Sequence, residues 1–504
     1  MAIPPRLPNG TPAPRVFADE GERRRIEHHE ADVVIVGAGV AGCALAVALG
    51  KQGRSVLLLE RSLKEPDRIV GELLQPGGVR ALEQLGLRHC LEDIDAIEVH
   101  GMDVIYHGSE VPIFYPKDAQ GKPYMGRSFH HGRFIMQLRE AARTTPNVTI
   151  VETTAVSVIH SSTENEVLGV QCTTNGQKDY FFAPLTFIAD GYASKFRKQY
   201  LPIAPKVKSK FWGLELIDAD MPRKNFGHVV LPGGPPVLVY QIGTHETRIL
   251  VDIPENLPSA SVQNGGVKGH LRTNVLPSLP PCLQPSFSAA LDKGALRSMP
   301  NSFLPPATNK TPGLVIIGDA LNMRHPLTGG GMTVAFSDIV ILRELLSPEK
   351  VPNFSNKRQV LEQMSQFHWK RKGLSSVINI LAQALYSLFA ADGALPPLST
   401  PIFHIRSPLT PRKYIDPYLE ILQRGCFRYF QLGLVDGPIG LLAALIPQPW
   451  VLFRHFYSVA FLSIWEYIIS QPIYMLPVTL FKCTIVFWTA CRVIFPFIFA
   501  EIRS

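Results

Sequence analysis

The first residues that could do chemistry form the glycine motif 37–42, with the sequence GAGVAG. Gly37 allows a tight turn, Gly39 lets the backbone approach a pyrophosphate, and Gly42 permits close packing of the following helix. Glu60 follows about 20 residues later, where a carboxylate accepts hydrogen bonds from ribose hydroxyls. With an apolar run on either side, the pattern predicts a dinucleotide site. A glycine-containing tight turn without a ligand is the alternative.

Two further glycine-containing turns follow buried strands later in the chain. The segment 187–191 ends in Asp-Gly, which by itself is typical of an ordinary strand-end turn. The segment 313–319 ends in Gly-Asp, and three consecutive glycines at 329–331 then precede a helical run. Backbone N–H groups at such a helix start can bind an anion or the polar edge of a ring. Asp319 ends a strand where ribose hydroxyls would lie.

The elements that position these motifs begin at Ala31. Apolar runs at 33–36 and 56–59 flank the Ala-rich stretch 43–49, and this βαβ arrangement is typical of a nucleotide-binding fold. From about 95 to 300 the chain has short β-runs divided by Pro and Gly, which predicts a sheet-based substrate domain. The apolar run 313–317 then indicates that the chain returns to its first domain.

Composition narrows the class of protein. The chain has 504 residues, 46% hydrophobic and 18% charged, with a net charge of +8 and a mean hydropathy of +0.10. This composition excludes disorder and collagen, and the small basic excess favours anionic lipid over nucleic acid as a partner. The seven cysteines lack a C-x-x-C pair, so we expect no disulfide framework, no zinc site and a reducing, cytosol-facing location. Residues 1–30 are rich in Pro and charge, which predicts a disordered tail.

The end of the chain is strongly apolar. Residues 437–504 hold six charges, and their longest uncharged run, 437–453, has 17 residues and three prolines, whereas a span needs about 20 apolar residues. We therefore expect monotopic helices in the membrane interface, with Trp and Tyr at headgroup level. A true span and a buried helical pair are the alternatives. The basic segment 401–430 favours contact with anionic lipid, or is a solvated face.

The three glycine-containing motifs, in this order and separation, resemble those of the FAD-dependent aromatic-hydroxylase superfamily. In the third motif Asn322 stands where the superfamily has His, and Thr333 where it has Asn. Four further runs resemble the squalene epoxidase (squalene monooxygenase) family: 71–78, 129–136, 296–300 and 322–332. The resemblance implies an α/β fold, with a Rossmann-like FAD-binding domain, an inserted β-sheet substrate domain and a C-terminal hydrophobic helical membrane-associated region.

The predicted division of the chain is discontinuous, because the substrate domain interrupts the FAD-binding domain. The FAD-binding domain takes 31–94, 129–200 and 312–350, and the substrate domain takes 95–128 and 201–311. The remaining segments are the tail 1–30, a helical region with the basic segment at 351–436, and the membrane-associated helices at 437–504.

The resemblance also implies roles for individual residues. FAD contacts are implied, beside Gly37, Gly39 and Gly42, at Val40, Ala41, Glu60, Arg68, Arg139, Ala155, Asp319 and Met332. Gln75 is implied as the catalytic residue that polarises the reacting oxygen, and Tyr240 as a wall of the substrate pocket. Arg68 and Arg139 as surface ion-pair partners, and Tyr240 as plain core, are the alternatives. His130 and His131 lack a carboxylate or Cys at ligand spacing, so we expect no metal.

The implied reaction adds one oxygen atom of O₂ to the terminal double bond of squalene, giving (S)-2,3-oxidosqualene for ergosterol-type sterol biosynthesis. Only one G-x-G-x-x-G motif is present, so electrons are expected from a separate NADPH-dependent cytochrome reductase. Burial of the C30 hydrocarbon in lipid is worth on the order of 20 kcal/mol, so the enzyme must take it from a membrane. The implied location is the cytosolic face of the endoplasmic reticulum (microsomal) membrane, with lipid droplets as a second one.

Two other functions fit parts of the sequence. A flavin-dependent isoprenoid reductase would saturate a double bond without consuming O₂, and a prenyl-binding escort would bind no flavin. An epoxidase or reductase acting on another polyprenyl alkene is a third reading of the same motifs. The runs that resemble squalene epoxidases favour squalene epoxidation over these alternatives.

Met102 departs from the family pattern. It lies 27 residues after Gln75, where squalene epoxidases usually carry a Tyr that hydrogen-bonds to the Gln. A thioether cannot donate that bond, so Gln75 must bond to water, to Tyr106 or to another partner, or remain unpaired at a cost of about 1 to 3 kcal/mol. This predicts a slower enzyme or one tuned to a different alkene. Replacement of the missing donor by Tyr106 or an ordered water is the alternative.

Overall fold

The computed structural model describes residues 17, 19–232, 234–255, 257–390 and 416–503. Within them the strands are β1 Val33–Val36, β2 Val56–Glu60, β3 Leu73–Leu74, β4 Ile97–Val99, β5 Gly101–Tyr106, β6 Ser109–Phe114, β7 Gly126–Ser128, β8 Val148–Glu152, β9 Thr154–His160, β10 Val167–Thr174, β11 Gln177–Phe182, β12 Leu185–Ile188, β13 Lys206–Ile217, β14 Phe226–Leu231, β15 Val237–Gln241, β16 Glu246–Pro254, β17 Arg297–Phe303 and β18 Leu314–Ile316. The helices are α1 Glu20–Arg23, α2 Val40–Gly50, α3 Pro76–Gln84, α4 His131–Thr144, α5 Arg197–Tyr200, α6 Gly266–His270, α7 Gln284–Lys293, α8 Gly331–Leu345, α9 Lys357–Ala390, α10 Pro417–Gln431, α11 Asp436–Leu442, α12 Pro449–Ile469 and α13 Leu476–Arg503.

A five-stranded parallel sheet in the order β18-β12-β1-β2-β8 carries the glycine motifs. Its strands are continuous apolar runs, because a parallel sheet is covered on both faces; all four residues of β1 are buried. The carboxyl ends of these strands meet at one edge. Gly37 follows β1, Glu60 ends β2, Asp190 follows β12 and Asp319 follows β18, so the sheet collects the three predicted turns.

A seven-stranded sheet in the order β17-β13-β16-β15-β14-β5-β6 forms the second layer. Its strands come from 101–114 and 206–303, both inside the predicted substrate segments. Neighbouring strands are antiparallel except β5 and β14, which run parallel with Gly101 opposite Phe226. One face packs on α7, where Phe287 is fully buried, so this part of the stretch predicted as short β-runs forms a helix that the sequence did not predict.

The other face of this sheet is covered by the C-terminal helices. Val229 and Leu231 of β14 belong to the same buried cluster as Phe427 of α10 and Val486 of α13. In the part of the chain that the structure describes, two helices are long and apolar enough to cross a membrane by length and composition, Lys357–Ala390 and Ile473–Arg503, with 72% and 39% of their most apolar windows buried in the protein. The predicted tail therefore packs on the body and also exposes apolar side chains.

The first of the two charged segments differs from expectation. Residues 19–30 of the predicted disordered tail are folded, with Arg25 buried and its Nε donating to Oγ1 of Thr149 at 2.9 Å. The charged sequence of this segment predicts disorder, yet one of its arginines reaches β8. Of the predicted basic segment, residues 401–415 lie outside the described residues, and Arg424 and Arg428 are exposed on α10.

Candidate FAD and substrate site

The glycine motif has the geometry that each glycine was predicted to supply. Gly37 has φ +107°, and a Cβ there would lie 2.5 Å from the carbonyl oxygen of Ala189. A Cβ on Gly42 would collide with the carbonyl oxygen of Gly37, so only glycine lets α2 approach the turn. At Gly39 a Cβ would meet nothing within 4 Å, because this residue borders an open cavity. A pyrophosphate fits that space beside the N-terminus of α2.

Glu60 and Arg139 brace the turn from the side. The Ala38 N–H donates to Oε2 of Glu60 at 2.8 Å, and Arg139 donates from Nε to the Ala38 carbonyl at 3.0 Å. Arg139 is 4% exposed and its Nη2 lies 3.7 Å from Glu60 Oε2, which rules out the surface ion pair considered for it. Arg68 is exposed, and its guanidinium lies 5.4 Å from the ring centroid of Tyr192.

A cavity of about 720 Å³ runs from this turn to the seven-stranded sheet. Thirteen of the fourteen predicted site residues line it, and Gly42 lies behind the turn. The lining includes Gly37, Gly39, Val40, Ala41, Glu60, Arg68, Gln75, Met102, Arg139, Ala155, Tyr240, Asp319 and Met332. Residues that are far apart in the sequence therefore face one space.

Gln75 accepts a hydrogen bond from a side chain that the sequence did not identify. The hydroxyl of Tyr115 donates to Oε1 of Gln75 at 2.6 Å, and Nε2 of Gln75 donates to the Thr328 carbonyl at 2.8 Å. The expectation that Met102 leaves Gln75 unpaired is therefore wrong. The hairpin of β5 and β6 explains the error: it places Tyr115 opposite His100, so a residue distant in sequence lies beside position 102 in space.

Tyr106, which was considered as the donor to Gln75, contacts a C-terminal helix instead. Its ring contacts that of Phe427 at a centroid distance of 5.2 Å. Burial raises the pKa of the Tyr115 hydroxyl, so Tyr115 remains a hydrogen-bond donor at neutral pH. Gln75 is 1% exposed and is held at both ends of its amide, with one N–H left to donate.

A buried ion pair borders the cavity next to Gln75. Arg248 donates from Nε and Nη2 to the two carboxylate oxygens of Glu72 at 2.8 and 2.9 Å, and Glu72 is 1% exposed. The Tyr240 hydroxyl lies 3.5 Å from Glu72 Oε2, so Tyr240 lines the cavity and also completes this cluster. Burial raises the pKa of Glu72, and the two bonds from Arg248 oppose that shift. No motif in the sequence marks Glu72 and Arg248 as partners.

The third glycine motif separates into residues inside and outside the cavity. Asp319, Arg324 and Met332 line it, whereas Asn322 lies behind the loop, donates to the Leu304 carbonyl at 2.7 Å and accepts from Arg324. The departure from the family His at this position therefore changes the support of the loop rather than the cavity wall. Thr333 is fully buried.

The adjacent histidines have separate environments. His131 is buried, and its Nδ1 lies 2.8 Å from the Gly71 carbonyl. Burial lowers the pKa of His131 to about 4, so the ring is neutral at pH 7 and donates from Nδ1. His130 Nε2 lies 3.9 Å from Oε2 of Glu246. The pair does not converge on one point.

Comparison with known proteins defines the class first. A family model described as FAD binding domain matches residues 30–255. The solved structure of PqsL from Pseudomonas aeruginosa in complex with 2-aminobenzoylacetate superposes with a TM-score of 0.61 and 21% identity, covering 72% of this chain and 97% of that one. The flavin-dependent brominase Bmp2 gives a TM-score of 0.63 and 14% identity, covering 85% and 98%. The chain is therefore an FAD-binding flavoprotein with this α/β fold.

The particular family follows from a second family model, described as squalene epoxidase, which matches residues 182–396 and 414–481. A squalene epoxidase of Aspergillus fumigatus is 62% identical over 503 residues, covering 99% of both chains. A squalene epoxidase of Schizosaccharomyces pombe is 42% identical over 94% of this chain and 99% of its own length, and a squalene monooxygenase of Mus musculus is 42% identical over 94% and 78%. The chain belongs to the squalene epoxidase family, and the family predicted from its motifs is confirmed.

Proposed function

We propose that this protein is an FAD-dependent monooxygenase that converts squalene to (S)-2,3-oxidosqualene in sterol biosynthesis. The observation that carries the proposal is one cavity in which the residues of the glycine turn and an apolar pocket meet. Its apolar end is lined by residues of both layers, namely Val70, Leu73, Met102, Leu238, Leu250, Met299 and Leu327. A hydrocarbon chain fits such a wall, and the wall excludes water from the reacting end.

The residues present fit FAD. The space at Gly39 and the helix start of α2 would take the pyrophosphate, Glu60 the ribose hydroxyls, and the turn before α8 the flavin ring edge. Arg68, Arg139, Ala155, Asp319 and Met332 are the proposed further contacts. When bound and reduced, FAD would activate O₂, so that one oxygen atom is added to the alkene and the other leaves as water.

Gln75 is the proposed catalytic residue. Its amide is oriented by Tyr115 and by the Thr328 carbonyl, which leaves one N–H to donate toward the reacting oxygen. Gln75 directly precedes α3, so its hydrogen bond to Thr328 also connects the start of α3 to the loop before α8. A donor held at both ends loses little freedom when the substrate binds, so its orientation is set in advance.

The test of the function uses the purified protein with FAD, squalene in lipid vesicles, NADPH and a reductase under ¹⁸O₂. The expected product carries one labelled oxygen atom and is the terminal epoxide by mass and chromatography. A saturated product formed without label would support the isoprenoid reductase instead. Flavin that is bound and reduced, yet gives no oxygenated product from squalene or from a shorter polyprenyl alkene, would contradict the proposal.

We further propose that the exposed apolar side chains of α12 and α13 place the cavity at a membrane surface. Trp450, Trp465 and Trp488 are 61%, 61% and 55% exposed, and Ile473 and Tyr474 between the helices are 88% and 81% exposed. Aromatic side chains at this density are typical of a membrane interface. Monotopic attachment to the cytosolic face of the endoplasmic reticulum, with electrons from an NADPH-dependent cytochrome reductase, completes the proposal.

Vesicle flotation tests the attachment. Tyr474→Asp should lower the membrane-bound fraction, because it places a charge in the proposed interface. Tyr180→Asp is the matched control, since Tyr180 is an exposed tyrosine of β11 in the small sheet β11-β10-β9. Equal binding of the two variants would contradict docking through the tail. Deleting residues 437–504 is a poorer test, because Val486 and Ala490 of α13 are fully buried against the body.

A further inference from the structure

The end of α13 is bonded to the body through a buried carboxylate. Glu501 is 4% exposed, although it lies in a helix that is otherwise rich in exposed apolar side chains. Its Oε1 accepts from Nδ2 of Asn379 at 2.7 Å, and its Oε2 accepts from Oγ of Ser376 at 2.7 Å. Nζ of Lys372 donates to the Glu501 backbone carbonyl at 2.6 Å. Three residues on one face of α9 therefore hold this single residue.

Asn379 connects Glu501 to the loop before α8 through hydrogen bonds. Its Oδ1 accepts from Nε of Arg324 at 2.7 Å, while its Nδ2 holds Glu501. Arg324 lines the cavity and donates from Nη1 to the Gly331 carbonyl at 3.5 Å and from Nη2 to the Asn322 carbonyl at 3.0 Å. Two side chains thus separate the tail carboxylate from the glycine turn.

The charge of Glu501 helps to compensate the buried charge of Arg324. Arg324 is buried, and its hydrogen bonds go to neutral carbonyl and amide oxygens. Burial lowers the pKa of its guanidinium and the positive charge of Arg371 adds to that shift, while the negative charges of Asp319, Asp338 and Glu501, in decreasing order, oppose it. The neighbouring Arg371 has its own carboxylate, Asp338, at 2.8 Å. Removing the charge of Glu501 therefore leaves a buried guanidinium less compensated.

We propose that Glu501 is a positioning residue for the flavin-binding loop 324–331, acting through Asn379 and Arg324, so that docking of the tail helix and order of the flavin site are one coupled state. The inference rests on the proposed function, because it takes this loop as the one that receives the flavin. A membrane-associated helix thereby sets the geometry of a loop that it does not form.

The test compares Glu501→Gln with Thr489→Val in the full-length protein. Thr489 is equally buried on the same helix, at 4% exposed, so it controls for any disturbance of α13. In the FAD-free protein, Glu501→Gln should increase amide hydrogen exchange in residues 324–334. With FAD present, the dissociation constant of FAD should rise at least about tenfold, the effect of losing one hydrogen bond to a charged group, and the flavin reduction potential should shift. Thr489→Val should leave all three unchanged.

Ser376→Ala removes one of the two bonds to the carboxylate and keeps the charge, so it should shift exchange in the same segment by less. Exchange that rises uniformly along the chain in Glu501→Gln would assign it a general structural role and overturn the proposal. Unchanged exchange and flavin affinity would also overturn it. Since exchange and flavin affinity are measured without squalene, they decide this inference even if the substrate proves to be another alkene.

Discussion

Replacing Tyr115 with phenylalanine removes the hydroxyl that donates to Gln75 and keeps the ring. Both side chains are buried, at 3% and 1% exposed, and their oxygens lie 2.6 Å apart, so water cannot easily take the hydroxyl's place. An unsatisfied buried acceptor costs about 1 to 3 kcal/mol. We expect Tyr115→Phe to lower the free energy of unfolding by that amount.

Turnover should fall as well, because the Gln75 amide is then held only at Thr328. If the same 1 to 3 kcal/mol is lost in the transition state, kcat falls between about fivefold and about 150-fold. Urea unfolding of the FAD-loaded protein and steady-state turnover of squalene measure the two effects. Restoring a donor from the neighbouring strand, in the double variant Tyr115→Phe with Met102→Tyr, should recover part of the loss.

Met102→Tyr alone is the control. The acceptor is already occupied by Tyr115, so this variant should give no gain in turnover. A several-fold gain would refute the reasoning, since it would mean that the native site lacks the bond. Tyr115→Phe with an unfolding free energy within about 0.5 kcal/mol of the parent would refute it equally.

Three further predictions follow from the site. Gly39→Val should lose FAD, seen as missing flavin absorbance, while the FAD-free protein keeps its thermal stability because a Cβ meets nothing within 4 Å; Gly42→Val should be destabilised instead. Arg248→Met should lower the unfolding free energy by about 3 to 5 kcal/mol by leaving Glu72 uncompensated, and adding Glu72→Gln should recover much of it. The pKa of His131 is lowered to about 4 from 6.5, so the unfolded chain gains a proton first and stability falls between pH 6.5 and 4. At pH 5 the protonation of His131 in the unfolded chain lowers the free energy of unfolding by about 2 kcal/mol. Urea titrations at pH 7 and pH 5 should show this loss in the parent and not in His131→Asn.

Much of the FAD site could be predicted because its signals are local. Gly37 and Gly42 leave no room for a side chain within a single turn, Glu60 ends β2, Asp319 follows β18, and the apolar runs of both strands are visible in the sequence. The parallel sheet then fixes their common edge. These predictions need no knowledge of side-chain packing.

The parts that could not be predicted depend on register and on distant contacts. Counting residues from Gln75 points to Met102. The β5–β6 hairpin, in which Met102 pairs with Ile113, instead brings Tyr115 within hydrogen-bond distance of Gln75. Glu501 meets Asn379 across more than a hundred residues, and nothing in either local sequence marks the pair. A buried arginine such as Arg25 is likewise hidden in a run of charges.

The parallel pairing of β5 with β14 has a consequence for how the chain folds. The hairpin that contains β5 is synthesised early, yet its partner strand begins at Phe226, after most of the flavin domain has been made. Such non-local pairing raises contact order and slows folding. It also ties residues 101–114 to residues 206–303 in one sheet, because the fragment 201–311 alone lacks β5 and β6 and would expose β14 as an unprotected edge. Expressed by itself, that fragment should aggregate rather than behave as an excisable substrate domain.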